Sequence, residues 1–237
     1  MRHPPRPFII RARPLAGQTI ASGERFDFYI NLFELRRPAV ESLVDAFSKW
    51  KEDDRGPARS RVMLESVELD LGSGNGQLLF ADGVFLDRNP EPVSLSIESI
   101  GALGVKEIQI DFLSPTEWKE NGKIVESPSF AVLMRRILER VNALSTIYGE
   151  GRLSINWQCL TSAAEMVRTK YSRGGHAAVK RTSRKTKTGS HPMGGFVGQI
   201  VYEGDLSMFM PWLRIAEVTG VGRQTVWGKG EIRVRTL

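Results

Sequence analysis

Residues 219–230 read "TGVGRQTVWGKG", placing four glycines (Gly220, Gly222, Gly228, Gly230) and two cations (Arg223, Lys229) in twelve positions. What flanks them decides how the chain folds. Upstream, "DLSMFMPWLRIAEV" (205–218) has a helical pattern; downstream, "EIRVR" (231–235) alternates like a strand. The order is helix, glycines, strand. A dinucleotide site needs strand, glycines, helix, with the pyrophosphate at the helix N-terminus. Here the glycines follow a helix C-terminus, whose dipole repels phosphate. A P-loop fails too, because Gly222 to Gly228-Lys229 is one residue too long and Gly230 stands where Ser or Thr should bind metal. No nucleotide cofactor is called for. A helix-ending cap accounts for Gly220 alone. The other glycines let a backbone approach something closely, with Arg223 and Lys229 beside it, which points to an extended polyanion lying across the loop.

Working backwards, the second half repeats a simple order. "VKEIQIDFLSP" (105–115) reads as a strand stopped by Pro115. Ser127-Pro128 supplies an N-cap and first-turn pair for a helix whose apolar face is Phe130, Leu133, Met134, Ile137, Leu138, Val141 and Leu144. "GRLSINWQCL" (151–160) reads as a strand followed by a basic loop, and "GGFVGQIVYEG" (194–204) as a strand. With the last helix and strand the series is β-α-β-β-α-β, a ferredoxin-like unit. In the first half, "RPFIIRARP" (6–14) and "ERFDFYINLF" (24–33) read as strands and Pro38 opens a helix ended by "KEDDRGP". "RVMLESVELDL" (61–71) reads as a strand, and the "GSGNG" turn at 72–76 leads into a hairpin. That is the same series without its leading strand and helix. The expected fold is therefore α+β, two tandem ferredoxin-like domains: a partial one over 1–102 and a complete one over 103–237.

The 237 residues are 41% hydrophobic and 25% charged, as in an ordinary globular protein. No apolar run reaches the roughly 18 residues of a membrane span, so a cytoplasmic protein without a membrane partner is expected. A single cysteine, Cys159, excludes an internal disulfide and thiol–metal clusters. The net charge of +6 is unevenly placed. Residues 166–202 hold Arg168, Lys170, Arg173, Lys180, Arg181, Arg184, Lys185 and Lys187 and no acid. Such a block points to a polyanionic partner, the basic loop being placed at 166–192.

The late helix, the G-x-G turn with a cation, a Thr and an aromatic residue, the second G-x-G and the final strand resemble the C-terminal signature of the CRISPR-associated Cas six endoribonucleases, of the RAMP superfamily. "FDFYINLFE", "IDFLSPT" and "PMGGFVGQIVYEGDL" resemble further family segments. The resemblance implies tandem ferredoxin-like domains and metal-independent cleavage of precursor CRISPR RNA, the 2′-OH beside the scissile phosphate attacking it. It implies RNA contact at Gly220, Gly222, Arg223, Gly228, Lys229 and Gly230, beside the basic residues Arg181, Arg184, Lys185 and Lys187. The implied partners are CRISPR repeat RNA and other CRISPR-associated proteins, while a sheet edge left open in the partial domain could pair with a second copy of the chain. Two departures stand out. Relatives often carry His where this chain has Gly220, and the usual catalytic His lies in a helix ahead of the strand matched to "RPFII"; either the gene starts upstream of Met1 or that residue is lacking.

Three histidines remain as proton carriers: His3, His176 and His191. His176, in "YSRGGHAAVKR", has Tyr171 and Lys180 near in sequence; His191 directly precedes a strand. The catalytic candidates are thus His176, His191, Tyr171 and Lys180. Trp157, Trp212 and Trp227 are read as core packing, with base stacking as the alternative. Two other functions stay open: a non-catalytic RAMP subunit holding guide RNA, and an adaptor whose basic loop takes an acidic protein.

Overall fold

A computed structural model of the chain describes residues 4–34, 39–52, 62–72, 75–93, 104–120, 123–125, 127–178, 180–182, 190–192 and 194–237. Strands β1 (Phe8–Arg11) and β2 (Tyr29–Leu32) form an antiparallel pair, so the strand expected over 24–33 begins only after Phe26 and Phe28. Helix α1 (Ala39–Ser48) follows, and β3 (Ser66–Asp70), β4 (Gly76–Ala81) and β5 (Val84–Phe85) make a three-stranded antiparallel sheet. The expected helix start at Pro38 and the linker at Asp53-Asp54 lie outside the described residues. By compactness the chain groups into residues 34–94 and, as a second unit, residues 1–33 with 95–237.

The second unit carries β6 (Glu107–Thr116), the short hairpin β7 (Trp118–Glu120) and β8 (Lys123–Val125), α2 (Phe130–Tyr148), α3 (Trp157–Glu165) and β9 (Arg168–Ala177). It continues with β10 (Lys180–Thr182), β11 (Ser190–Pro192), β12 (Gly195–Glu203), α4 (Met210–Thr219) and β13 (Ile232–Thr236). The main sheet has the order β13-β6-β12-β9, antiparallel throughout. Taking β6, α2, β9, β12, α4 and β13 in turn gives the ferredoxin-like series with its fourth, first, third and second strands side by side. Alternate residues Ile108, Ile110, Phe112, Ile200, Tyr202, Ile232 and Val234 face α2 and α4 and form one core with Phe130, Leu133, Ile137, Leu138, Phe209 and Leu213.

Four sequence expectations are corrected. The segment 151–160 is not a strand: Asn156 accepts a hydrogen bond from the Cys159 amide (3.0 Å) and caps α3, which buries Leu160 and Ala164 one turn apart. The second strand of the unit is instead β9, inside the basic block that was expected to be a loop. Its residues are exposed almost throughout, so no apolar alternation marks it. Third, β6 runs through Pro115; a register shift in β12 between Phe196 and Gly198 lies opposite, a bulge that tolerates a residue without an amide hydrogen. Fourth, α2 is capped by Ser129 rather than Ser127, while the Pro128 carbonyl accepts from the buried Tyr202 hydroxyl (2.9 Å). Among the described residues no helix is long and apolar enough to cross a membrane.

Candidate nucleic-acid interface

The glycine loop is folded tightly on its own chain. Gly220, Gly222, Gly228 and Gly230 all take left-handed φ between +67° and +80°. A Cβ on Gly230 would lie 1.8 Å from the Val221 carbonyl oxygen, and one on Gly222 would lie 2.8 Å from that of Glu117. What comes close to the bare backbone is therefore the protein itself. The amides of Gly220, Val221, Arg223, Gly228 and Gly230 donate to Ala216, Gly230, Glu117, Thr225 and Pro115 in turn. These amides are engaged internally, and the loop's outward offering is its side chains.

The loop begins at the α4 C-terminus, whose last carbonyls would otherwise lack partners. Gly220 N–H donates to Ala216 (2.8 Å), Arg11 to Glu217 (2.9 Å), Asn31 to Val218 (2.7 Å) and Arg140 to Thr219 (2.7 Å). Two guanidiniums are thus drawn to the negative end of the helix dipole. Burial lowers the pKa of Arg11, with Glu231 offsetting part of it; burial and then Arg11 bring Arg140 down to about 10.

At the loop's far end stands a cluster of charges. Lys229 is 2% exposed, and its ammonium donates to the Gly194 carbonyl (2.8 Å) and the Gln224 side chain (3.0 Å). Glu117, just past β6, lies 3.8 Å from that ammonium and accepts from the Arg223 guanidinium at 2.8 Å. Burial pulls Lys229 below its ordinary range, Glu117 offsets part of the shift, and Arg223 adds to it. Lys229 is an internal strut, whereas Arg223 keeps 55% of its side chain exposed.

His176, the penultimate residue of β9, lies at this same corner. Its register partner is Phe196, and its ring lies against Gly194: a Cβ there would come 2.5 Å from imidazole Cε1 and 3.0 Å from Nε2. Gly194, which the sequence reading passed over, thus seats the imidazole with its bare Cα and holds Lys229 with its carbonyl. Tyr171 is not brought to this corner; it lies opposite Val201, five residues or about 16 Å down the strand. Lys180 and Arg181 lie in β10, paired with Pro192 and His191 of β11. His3, Arg184, Lys185 and Lys187 lie outside the described residues.

The sheet adds Arg233 and Arg235, which sequence reading missed, to Arg173 of the basic block. Register aligns Arg233, Asp111, Gln199 and Arg173 across all four strands, on the face opposite the core residues, with Arg235, Gln109, Val201 and Tyr171 in the next row. Arg235 pairs with Asp111 at 3.0 Å. The signal was present in "EIRVR", whose apolar residues point one way and its arginines the other. On β9, Lys170 and Arg168 are already paired, with Glu107 (2.7 Å) and Glu203 (3.0 Å).

Comparisons with known proteins agree on the family. The family model described as CRISPR-associated endoribonuclease Cas6 matches residues 110–232, and an N-terminal-domain model matches residues 1–91. Among solved structures, a product complex of a Thermus thermophilus Cas6 is 15% identical, with a TM-score of 0.54 over 98% of this chain and 84% of that one. A partial Cas6-RT-Cas1–Cas2 complex is also 15% identical, with a TM-score of 0.51 over 89% of this chain and 37% of that one. The chain spans about half the length of a Cas6 point mutant and a Cas6 substrate-mimic complex, 55% of each. No curated protein matches. The fold shared with these neighbours is α+β, with tandem ferredoxin-like domains.

Proposed function

Because the chain belongs to the family of the CRISPR-associated endoribonuclease Cas6, matched over residues 110–232, we propose that it binds CRISPR repeat RNA in the cytoplasm and cuts it without a metal ion. The carrying observation is the corner where His176, seated on Gly194, meets the Lys229–Glu117–Arg223 cluster of the glycine loop. Arg223 supplies an exposed cation for phosphate, and the basic residues Arg181, Arg184, Lys185 and Lys187 supply further contact with the RNA backbone. Lys229, buried, positions the loop and leaves phosphate contact to Arg223.

In the reaction the 2′-oxygen attacks the adjacent phosphorus and loses its proton to a general base. The bond to the 5′-oxygen breaks, and that oxygen takes up a proton. The products are a 2′,3′-cyclic phosphate and a 5′-hydroxyl. His176 carries one of these proton transfers, since its ring is seated on Gly194 beside the Lys229–Glu117–Arg223 cluster. Arg223 stabilises the extra negative charge on the phosphorane. Other CRISPR-associated proteins are the further partners this reading implies.

The test is incubation of repeat RNA with the 237-residue chain in excess chelator. Cleavage at one site, leaving a cyclic phosphate and abolished by a 2′-deoxy substitution there, is expected. Cleavage that needs a divalent ion or survives that substitution contradicts the mechanism. Tight binding without cleavage would select a guide-RNA-holding subunit instead.

A further inference from the structure

Glu117 grips Arg223 at two points. Its carbonyl accepts from the Arg223 amide (3.3 Å), and its carboxylate Oε1 accepts from guanidinium Nη1 (2.8 Å). The first bond needs Gly222, where a Cβ would lie 2.8 Å from that same carbonyl oxygen. Glu117 is itself held in place. It stands between Thr116 and Trp118, each 1% exposed, and the Trp118 ring packs edge-on against Phe112 with centroids 5.1 Å apart. The second carboxylate oxygen, Oε2, lies 3.8 Å from the buried Lys229 ammonium, so the carboxylate is oriented from both sides. Arg223 keeps 55% of its side chain exposed and would otherwise sample many rotamers. An ion pair with so exposed a partner adds little to stability. Its effect is to fix where the guanidinium points.

From this we infer that Glu117 is a positioning residue, which aims the Arg223 guanidinium at one particular phosphate of the RNA. The inference rests on the RNA-binding reading above and adds to it the group that selects which phosphate is met. The bond to Glu117 takes Nη1 and leaves the Nε–Nη2 edge of the planar fork for two phosphate oxygens. A carboxylate beside RNA repels it, so on charge alone Glu117 is a liability. The repulsion is tolerable because Lys229 and Arg223, two cations against one acid, keep the cluster positive. Orientation is what the acid contributes, and a guanidinium held in one direction meets one phosphate instead of several.

The experiment measures the affinity of the whole chain for repeat RNAs that each carry one neutral methylphosphonate, with a 2′-deoxy sugar beside it so that the linkage survives. In wild type, one position should weaken binding about tenfold more than the others, the loss of a charged hydrogen bond. In Arg223→Ala that position should cost no more than its neighbours. Glu117→Ala should bind unmodified RNA within about threefold of wild type, because the cation remains and a repelling charge is gone. It should nevertheless lose most of the penalty at that one position. Glu117→Gln, which keeps an oxygen for Nη1, should restore most of it. Glu117→Asp keeps the charge near Lys229 but withdraws it from Nη1, so it should behave like Glu117→Ala and carries the test if the alanine variant does not fold. A merely structural Glu117 would instead weaken binding at every position alike. That result, or a wild-type penalty at the one position in both Glu117→Ala and Glu117→Asp, would overturn the inference while leaving RNA binding intact, as would a wild type with no such position. A wild type that binds no repeat RNA would overturn both.

Discussion

Gly194 shows how much of the site depends on an atom that is missing. With no Cβ, it lets the His176 ring lie against it, and its carbonyl anchors the buried Lys229 ammonium. His176→Ala should slow single-turnover cleavage by roughly 10²–10⁴-fold while leaving RNA affinity nearly unchanged. Gly194→Ala, which displaces the ring without removing it, should also slow cleavage, and by less. Rate and affinity measured side by side decide both; a wild-type rate in His176→Ala would remove histidine 176 from the mechanism. Arg223→Ala should behave differently, weakening binding and reducing the salt slope by about 0.7, the share of one phosphate on a single strand. Glu117→Ala should lower stability by about 3 kcal/mol in urea unfolding, because it leaves the buried Lys229 without its nearest carboxylate.

The glycine loop was legible as an element and misread as a surface. Its order after a helix and before a strand excluded a nucleotide fold, and that order is present. The reason for its glycines was not visible, since it lies in long-range approaches: Gly222 to Glu117, Gly220 to Arg11, Gly228 to Ile10. Composition alone cannot tell a backbone bared for a ligand from one bared for its own fold. Gly230→Ala should cost about 3 kcal/mol, from a left-handed φ together with a 1.8 Å clash. Gly17→Ala, at φ +75° with open space around it, should cost about 1 kcal/mol. Equal losses at the two positions would mean that the loop relaxes around the added carbon. β9 escaped notice for a related reason: an edge strand exposed along both faces has no period-two pattern to read. The apolar face of α2, buried on one side, was read residue by residue.

Across the second unit the ferredoxin-like order holds, although its second strand was sought 17 residues too early, at 151–160 in place of 168–177. Hydrophobic periodicity identified β6, α2, β12, α4 and β13, which fill most of the core, and it failed at the short helix α3 and at β9, which meets solvent on both sides. The core also carries a pH limit. Burial raises the pKa of the Tyr202 hydroxyl well above its ordinary 10.0. Above about pH 10 the unfolded chain therefore releases this proton while the folded chain keeps it, and stability falls as pH rises. Tyr202→Phe should melt lower near neutrality, having lost the bond to Pro128, yet lose less stability between about pH 9 and pH 11. The central claim, however, is about place: RNA is processed at the end of the sheet where β9, β12 and the glycine loop converge. The most direct test is a photo-crosslink from a 4-thiouridine beside the scissile phosphate of repeat RNA, mapped by mass spectrometry. Crosslinks within residues 168–177, 194–203 and 219–230 are predicted; crosslinks confined to residues 34–94 would contradict the account.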